Sequence, residues 1–450
     1  MPLTLRSVHK FPLLLALLTA GCATPPPPAP VAQPAAACPV CQICTTCPEP
    51  ATSALLPELT SPAATPETPR GRLERTQWDA LANFGSDDPT DALTAFLQSC
   101  SMLLTKPEWI DVCTSASRLS AKSGAENIRQ FFRDNFDPYR VVNADESETG
   151  TVTGYYEPLL RGSRVKTAEF KYPLYAQPQD LITVDLSEVY PDLKFRRLRG
   201  RVVGNKLVPY LDRGEIDGKA SPLRGLEIAW VDNPVELFFL EIQGSGQIQL
   251  PDGSRMRVGY ADQNGHPFRS VAGQLIRRGE IKAERASMQG IKEWAKKNPR
   301  KVTQFLNTNP SFVFFKELPG DLSGPIGTLG VPLTAERSIA VDQRVIPLGV
   351  PVYLSTTYPG SKQELNRLMV AQDTGGAIYG AVRADFYWGF GDDAGAQAGR
   401  MKQRGRMWVL LPKGYDPNAN VEAPPTATTP AATPATRMTT KLTEPKKESP

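Results

Sequence analysis

Two spacings of apolar residues divide this chain. DALTAFLQSCSMLL and KPEWIDVCTSASRL repeat their apolar positions every three to four residues, which predicts two helices, with Pro107 near the start of the second. From Gly154 the pattern shortens. TVTGYYEPLL, KYPLYAQP, LKFRRLRGRVVG, ELFFLEIQGSGQIQL and SRMRVGYAD are short apolar or alternating runs broken by Gly and Pro, and they predict strands. A helical interval follows over HPFRSVAGQLIRRGEI and MQGIKEWAKKNP, ending at Pro299. Strand character returns in SFVFFKEL, RSIAVDQRVIPLG, PVYLS, RLMVAQDTGG and MWVLLP. The expected fold is therefore α+β, mainly β, with two β modules divided by helices and one inserted in the other. No internal repeat has a fixed period.

The two ends lie outside this pattern. Arg6 and Lys10 lead into FPLLLALLTA, an apolar run too short for a bilayer span and suited to a signal peptide over residues 1–21. Thr19, Ala20 and Gly21 directly precede Cys22, which matches a lipoprotein signal in which Cys22 becomes the acylated N-terminus. Ala23 follows the cysteine, where an aspartate would favour retention at the inner membrane; the expected location is the periplasmic face of a Gram-negative outer membrane. Residues 22–72 and 414–450 are rich in Pro, Ala and Thr, a composition that buries too little apolar surface to fold, so both read as extended tethers. The expected divisions are a first part with the N-terminal helices (73–165), an inserted β module (166–305) and a second part that resumes the first (306–413), each β module a barrel or a sandwich.

Cysteines separate into three groups. Cys38, Cys41, Cys44 and Cys47 recur every third residue in the linker, and on a polyproline II edge they would stand about 9 Å apart, too far for disulfides without local turns. Disulfides or links to a partner chain come first for them, Zn second and an iron–sulfur cluster last. Cys100 and Cys113 fall one on each predicted helix, and an oxidising compartment favours a disulfide between them. The third group is Cys22 itself.

Charge and histidine content narrow the chemistry. Without Arg6 and Lys10 the mature chain carries 49 basic against 47 acidic residues, which gives no support for nucleic-acid binding. His9 is in the leader, so His266 is the one histidine left for catalysis, and a structural bond is its expected role. Three aspartates, Asp342, Asp373 and Asp385, stand at predicted strand ends without a histidine at ligand spacing, so neither a metal nor another cofactor is expected. Each alone fits a turn residue, but Gly375 and Gly376 beside Asp373 leave room for a bulky ligand. GYYEP and DFYWGFGDD set aromatics beside glycines and acids, as sugar-binding faces require. Gly154, Tyr155, Tyr156, Gln243, Gly244, Ser245, Gly375, Gly376 and Tyr387 are the candidate substrate contacts.

In chain order, GYYEP, FFLEIQGSG, NGHPFRS, NPSFVFF, VDQRVIPLG, AQDTGGAIYG and RADFYWGFGDDAG resemble the membrane-bound lytic murein transglycosylase A family over about residues 130–412. The resemblance implies a double-psi β-barrel with a second β domain inserted in it and a groove for peptidoglycan glycan strands between them. It implies that Asp373 is the catalytic acid and base, supported by Asp342 and Asp385, and that the β-1,4 bond is cut without water. The competing readings are a hydrolase using Glu157 or Asp385 as second carboxylate, and a peptidoglycan-binding lipoprotein without catalysis. Cell-wall synthesis or remodelling proteins are conceivable partners on the same grounds.

Overall fold

A computed structural model of the chain describes residues 71–196, 198–218 and 221–417. The expectations for the leader, Cys22, the Cys38–Cys47 run and nearly all of the tail fall outside these residues. Tyr415 is inside them: its carbonyl accepts from Tyr139 Oη at 3.0 Å, so ordered chain passes beyond the expected limit at 413. At the other end Arg72 already pairs with Val142, inside the expected linker.

The chain starts a barrel, leaves it and returns. Strand β1 (Arg72–Arg75) leads to helices α1 (Thr90–Leu103), α2 (Pro107–Ala116) and α3 (Ala125–Asn135), then to strands β2 (Phe136–Val142) and β3 (Gly150–Glu157). Pro107 opens α2, where its missing N–H costs nothing. Pro158 then ends the β3 ladder, because proline has no N–H to donate. Beyond it come β4 (Leu159–Ser163), β5 (Tyr172–Tyr175), β6 (Ile182–Thr183), β7 (Arg199–Val203), β8 (Lys206–Pro209) and the single turn α4 (Arg213–Ile216). Next are β9 (Glu227–Val231), α5 (Pro234–Gln243), β10 (Ser245–Gln249), β11 (Arg255–Gln263), α6 (Val271–Arg277), α7 (Met288–Lys297), α8 (Val302–Leu306) and β12 (Val313–Leu318). The chain closes with β13 (Ser338–Val341), β14 (Pro351–Thr357), β15 (Glu364–Asp373), β16 (Arg383–Phe390), α9 (Gly391–Arg400) and β17 (Lys402–Pro412).

Pairing makes the architecture explicit. One sheet runs β1-β2-β17-β14-β15-β13-β16-β3, and a further β17–β3 pairing closes its last six strands into a ring. This ring is the double-psi barrel, with two parallel pairings, β13–β15 and β16–β3, among antiparallel ones. Closure leaves no strand of the ring with an open edge for aggregation. The second sheet runs β12-β11-β10-β4-β9-β5, and β6-β7-β8 form a small third sheet. The insertion therefore begins at β4 and ends with β12; bounds of 166–305 would have left both strands in the barrel.

Two predicted strands are strands only in part. FFLEIQ forms helix α5, since Asn233 caps Val235 N at 2.9 Å, Pro234 takes the first turn and Gly244 ends the helix at φ 79°. In LKFRRLRGRVVG only Arg199–Val203 pairs. The apolar face of α5 closes on α6, α7 and α8 through Phe238, Phe239, Leu275, Trp294 and Phe305. Helices α1 to α3 pack Phe96, Phe131 and Phe132 onto the barrel core beside Phe136 and Tyr353.

Cys100 on α1 and Cys113 on α2 form a disulfide, with Cα atoms 5.5 Å apart. Closing a loop of this length removes unfolded-chain entropy worth roughly 3 kcal/mol. Paired Cys100→Ser and Cys113→Ser substitutions should destabilise the barrel by that amount in chemical unfolding.

Candidate active site

Asp373 is the last residue of β15 and a bulge sets its direction. Along β13 and β15, Ser338 faces Val370 and Ile339 faces Ala371, but Ala340 faces Asp373, so Gln372 is left over. The extra residue turns Asp373 to a new side, as bulges near functional sites do. Gln372 is fully buried; its amide donates to Ala95 O at 2.8 Å and Ser99 Oγ at 3.0 Å, and its Oε1 accepts from Ser338 Oγ at 2.5 Å. The bulge is thereby pinned to α1.

The same register lines up the two central aspartates. Ala340 also faces Asp385 across β16, and Asp385 faces Thr153 on β3. Asp373 and Asp385 thus share one row, two strands apart, or about 10 Å between Cα atoms. Asp385 stands third in its strand rather than at the end.

Asp373 is held at both oxygens. Its Oδ1 accepts from Thr328 N at 2.9 Å, Thr328 Oγ1 at 2.8 Å and Thr374 N at 2.9 Å. Its Oδ2 accepts from Tyr155 Oη at 3.1 Å. The loop carrying Thr328 is zipped to the strand end by Leu329 N donating to Gln372 O at 3.0 Å. Gly327 makes this approach possible, since a Cβ there would lie 2.6 Å from Gln372 O. Burial pushes the Asp373 carboxyl above its ordinary range, and the four donors only partly offset it.

The other two aspartates play different parts. Burial, and then the negative charge of Asp373, push Asp385 up to about 6, against the opposing Thr153 hydroxyl at 2.5 Å and the Arg383 charge. A row with two carboxylates so placed favours one negative charge over two. Burial also acts to raise Asp342, but Arg344 and the Gly380 and Arg344 amides outweigh it and hold this carboxyl below its usual range. Gly380 N donates to Asp342 Oδ2 at 2.9 Å and Arg344 Nε to Oδ1 at 2.7 Å. Asp342 ties down the far end of the loop that follows Asp373.

The candidate substrate contacts separate by location. Tyr155 stacks on Tyr387 at 5.2 Å, and both rings lie under Asp373 with Leu333, Ala340 and Ile378. Burial keeps the Tyr155 phenol neutral, a donor at any ordinary pH. Tyr156 points the other way: its hydroxyl meets Met288 Sδ at 3.6 Å and its ring covers Gly395 on α9. Gly154 is occupied by packing, since a Cβ there would strike the Trp388 ring at 2.7 Å. Gln243 Oε1 accepts from Tyr156 N at 3.1 Å, joining α5 of the insertion to barrel strand β3. Gly244 serves as the α5 cap and Ser245 is buried at the start of β10. Gly375 permits a tight turn against Ile378 Cγ1, 2.6 Å from where its Cβ would stand, while Gly376 is exposed.

Glu157 and His266 are committed elsewhere. Glu157 is buried, with Arg257 Nε at 3.1 Å and Gln247 Nε2 donating at 3.1 Å. His266 Nε2 lies 2.7 Å from Tyr210 O, while Asn264 bonds Leu211 O and Pro310 O, so NGHPFRS knits loops together. Among the described residues no group of three or more His, Cys, Asp or Glu side chains is placed to hold a metal ion.

Thr328, Thr153 and Gln372 escaped the sequence reading. Strand alternation offered one signal, because Thr153 and Tyr155 are two residues apart on one face of β3. Thr328 lies in a loop between Gly327 and Gly330, and nothing local marks it as a partner of Asp373.

The chain is similar to known proteins in both of its parts. Residues 151–316 match the model of the MltA specific insert domain, and residues 337–411 match that of the 3D domain. The chain is 34% identical over 299 residues to the membrane-bound lytic murein transglycosylase A of Escherichia coli (strain K12), covering 65% of this chain and 73% of that protein. The crystal structure of MltA from Neisseria gonorrhoeae, monoclinic form, superposes with a TM-score of 0.67 at 35% identity, covering 78% of this chain and 99% of that one. E. coli MltA with bound chitohexaose gives a TM-score of 0.54 at 30% identity, covering 77% and 95%. The chain belongs to the membrane-bound lytic murein transglycosylase A family.

Proposed function

We propose that this protein is a lytic murein transglycosylase that cuts the β-1,4 bond between N-acetylmuramic acid and N-acetylglucosamine, leaving 1,6-anhydromuramic ends. The observation that carries the reading is the Asp373 carboxyl, raised by burial and positioned by four donors. Oδ1 holds three of the donors, so the transferable proton belongs on Oδ2. Asp373 gives that proton to the glycosidic oxygen as the C1–O bond breaks. The muramic C6 hydroxyl then attacks C1 and returns its proton to Asp373. The nucleophile is already in the substrate, at high effective concentration, and water has no part. The candidate hydrolytic partners fit less well, since Glu157 is sealed against Arg257 and Asp385 is held by Thr153. E. coli MltA was solved with chitohexaose; in this chain the corresponding glycan strand lies between barrel and insertion, with Tyr155 and Tyr387 supporting the carboxyl and the loop Gly375–Gly376 over it. Acylation of Cys22 anchors the enzyme to the outer membrane from the periplasm, in keeping with the membrane-bound relatives.

Mass spectrometry of a sacculus digest tests the reaction: anhydro ends are lighter by one water than hydrolytic ends, and their absence would overturn the assignment. The acid form of Asp373 is the active one, so activity should be complete at low pH and fall as pH rises through its titration. The Tyr155 hydrogen bond opposes the upward shift of Asp373. Tyr155→Phe should therefore move the alkaline limb of the kcat profile to higher pH, with kcat reduced about tenfold as positioning is lost. A limb that moves to lower pH contradicts this wiring.

A further inference from the structure

The small sheet β6-β7-β8 and the segment leading into it carry a surface that the glycan reaction does not use. Nine of the twenty exposed large apolar side chains among the described residues fall between Ile182 and Leu207. Val189, Tyr190 and Phe195 are 72%, 54% and 45% exposed, and Val202, Val203 and Leu207 are 63%, 50% and 50% exposed. Val202 and Leu207 face each other across a hairpin whose turn is Gly204 at φ 60° and Asn205. Isolated exposed apolar residues are ordinary; a cluster of this density marks an interaction surface.

The charge of the same segment points to its occupant. Its second half, residues 193–211 with the β7–β8 hairpin, holds six bases, Lys194, Arg196, Arg197, Arg199, Arg201 and Lys206, and no acid, whereas Asp185, Glu188 and Asp192 lie in the first half. Arg199 is spent on Asp262 at 2.8 Å, where it fastens the sheet to the insertion. Lys194, Arg196 and Lys206 are exposed beside the apolar side chains, and Lys206 pairs with Val203 at the hairpin tip. Apolar side chains at a tip with bases around them fit the boundary between acyl chains and anionic headgroups, where the former bury and the latter meet phosphates. A glycan strand offers neither the apolar depth nor a fixed row of phosphates.

We infer that the β7–β8 hairpin is a membrane-contact tip that inserts Val202, Val203 and Leu207 among anionic phospholipids. This contact is independent of acylation at Cys22. It acts at the folded domain, whereas an acyl chain on Cys22 is attached 49 positions before Gly71, the first described residue. With the hairpin seated on the bilayer, the domain meets the wall in one attitude.

The test uses the full chain with Cys22→Ser, which removes the acylation site and so separates this contact from the lipid anchor. Flotation with vesicles of phosphatidylglycerol and phosphatidylethanolamine should carry the protein up, and vesicles of phosphatidylcholine should not. Raising salt should weaken the binding. Paired Val202→Ser and Leu207→Ser changes should reduce it at least tenfold, and paired Lys194→Gln and Lys206→Gln changes should reduce it several-fold, with cleavage of soluble glycan fragments unchanged. No flotation on anionic vesicles, or equal flotation of the Val202/Leu207 variant, overturns the inference. So does a variant that keeps its vesicle binding but loses sacculus binding or self-association, since the surface would then serve glycan or a second copy.

Discussion

Asp373→Asn should lower glycan cleavage by about three orders of magnitude, the range expected when one group serves as both acid and base. The loss should appear in kcat with little change in KM, because the amide keeps the shape of the side chain and its Oδ1 still accepts from Thr328 and Thr374. Stability should move the opposite way. The folded-state pKa of Asp373 lies above its unfolded value, so ionisation opposes folding once pH passes the unfolded value. The variant should therefore match the parent in acid and become the more stable of the two as pH rises through the folded-state titration. Thermal unfolding across pH, run beside the kinetic assay, separates a dead catalyst from an unfolded one.

The second large effect lies in the insertion. Arg213 is buried between the rings of Phe238 and Phe312, at 5.1 and 4.9 Å. Its guanidinium meets Glu241 on α5, with Nη1 donating to Oε1 at 2.9 Å, and Nε donates to Asn309 O at 3.2 Å. Glu241 Oε2 also accepts from Val313 N at 3.2 Å, so the pair joins α4, α5 and β12. Glu241→Gln leaves the buried cation with only Asp217, at 3.9 Å, as counter-charge and should cost about 3 kcal/mol. Pairing it with Arg213→Met should recover part of this, since the buried guanidinium is then gone and only the Asp217 carboxyl is left without its partner. The readout is chemical unfolding of each variant, and activity at low denaturant reports whether Gln243, two residues on, still holds Tyr156 N. A cost near zero for Glu241→Gln would mean that the pair contributes nothing.

What could be read from residue order follows from the range of the forces involved. Continuous apolar runs in PVYLS and MWVLLP, and the return to strands after Pro299, reported local burial and so placed β14 and β17. FFLEIQ misled because α5 is buried without a break from Leu237 to Glu241, so this stretch has no polar face to reveal its period; the informative signals were Asn233, Pro234 and Gly244 at its ends. Asp373 was legible from its glycines and from the family resemblance, but the reason it can work was not. Its direction depends on the extra residue Gln372 in β15, and its donors come from Thr328 and Tyr155, which are 45 and 218 positions away. Gly154 shows the converse. It stands in a motif that suggests ligand contact, yet the space it frees is filled by Trp388. Such assignments rest on contacts between distant segments, which no local pattern encodes.

The central claim is that the nucleophile is the substrate's own C6 hydroxyl. A digest of purified sacculi in water enriched in oxygen-18 tests it most directly. The account predicts muropeptides ending in 1,6-anhydromuramic acid at the mass lacking one water, with no oxygen-18 incorporated, and no such release by the Asp373→Asn variant. Products heavier by one water, carrying a single oxygen-18 at C1 of the new reducing end, would contradict it.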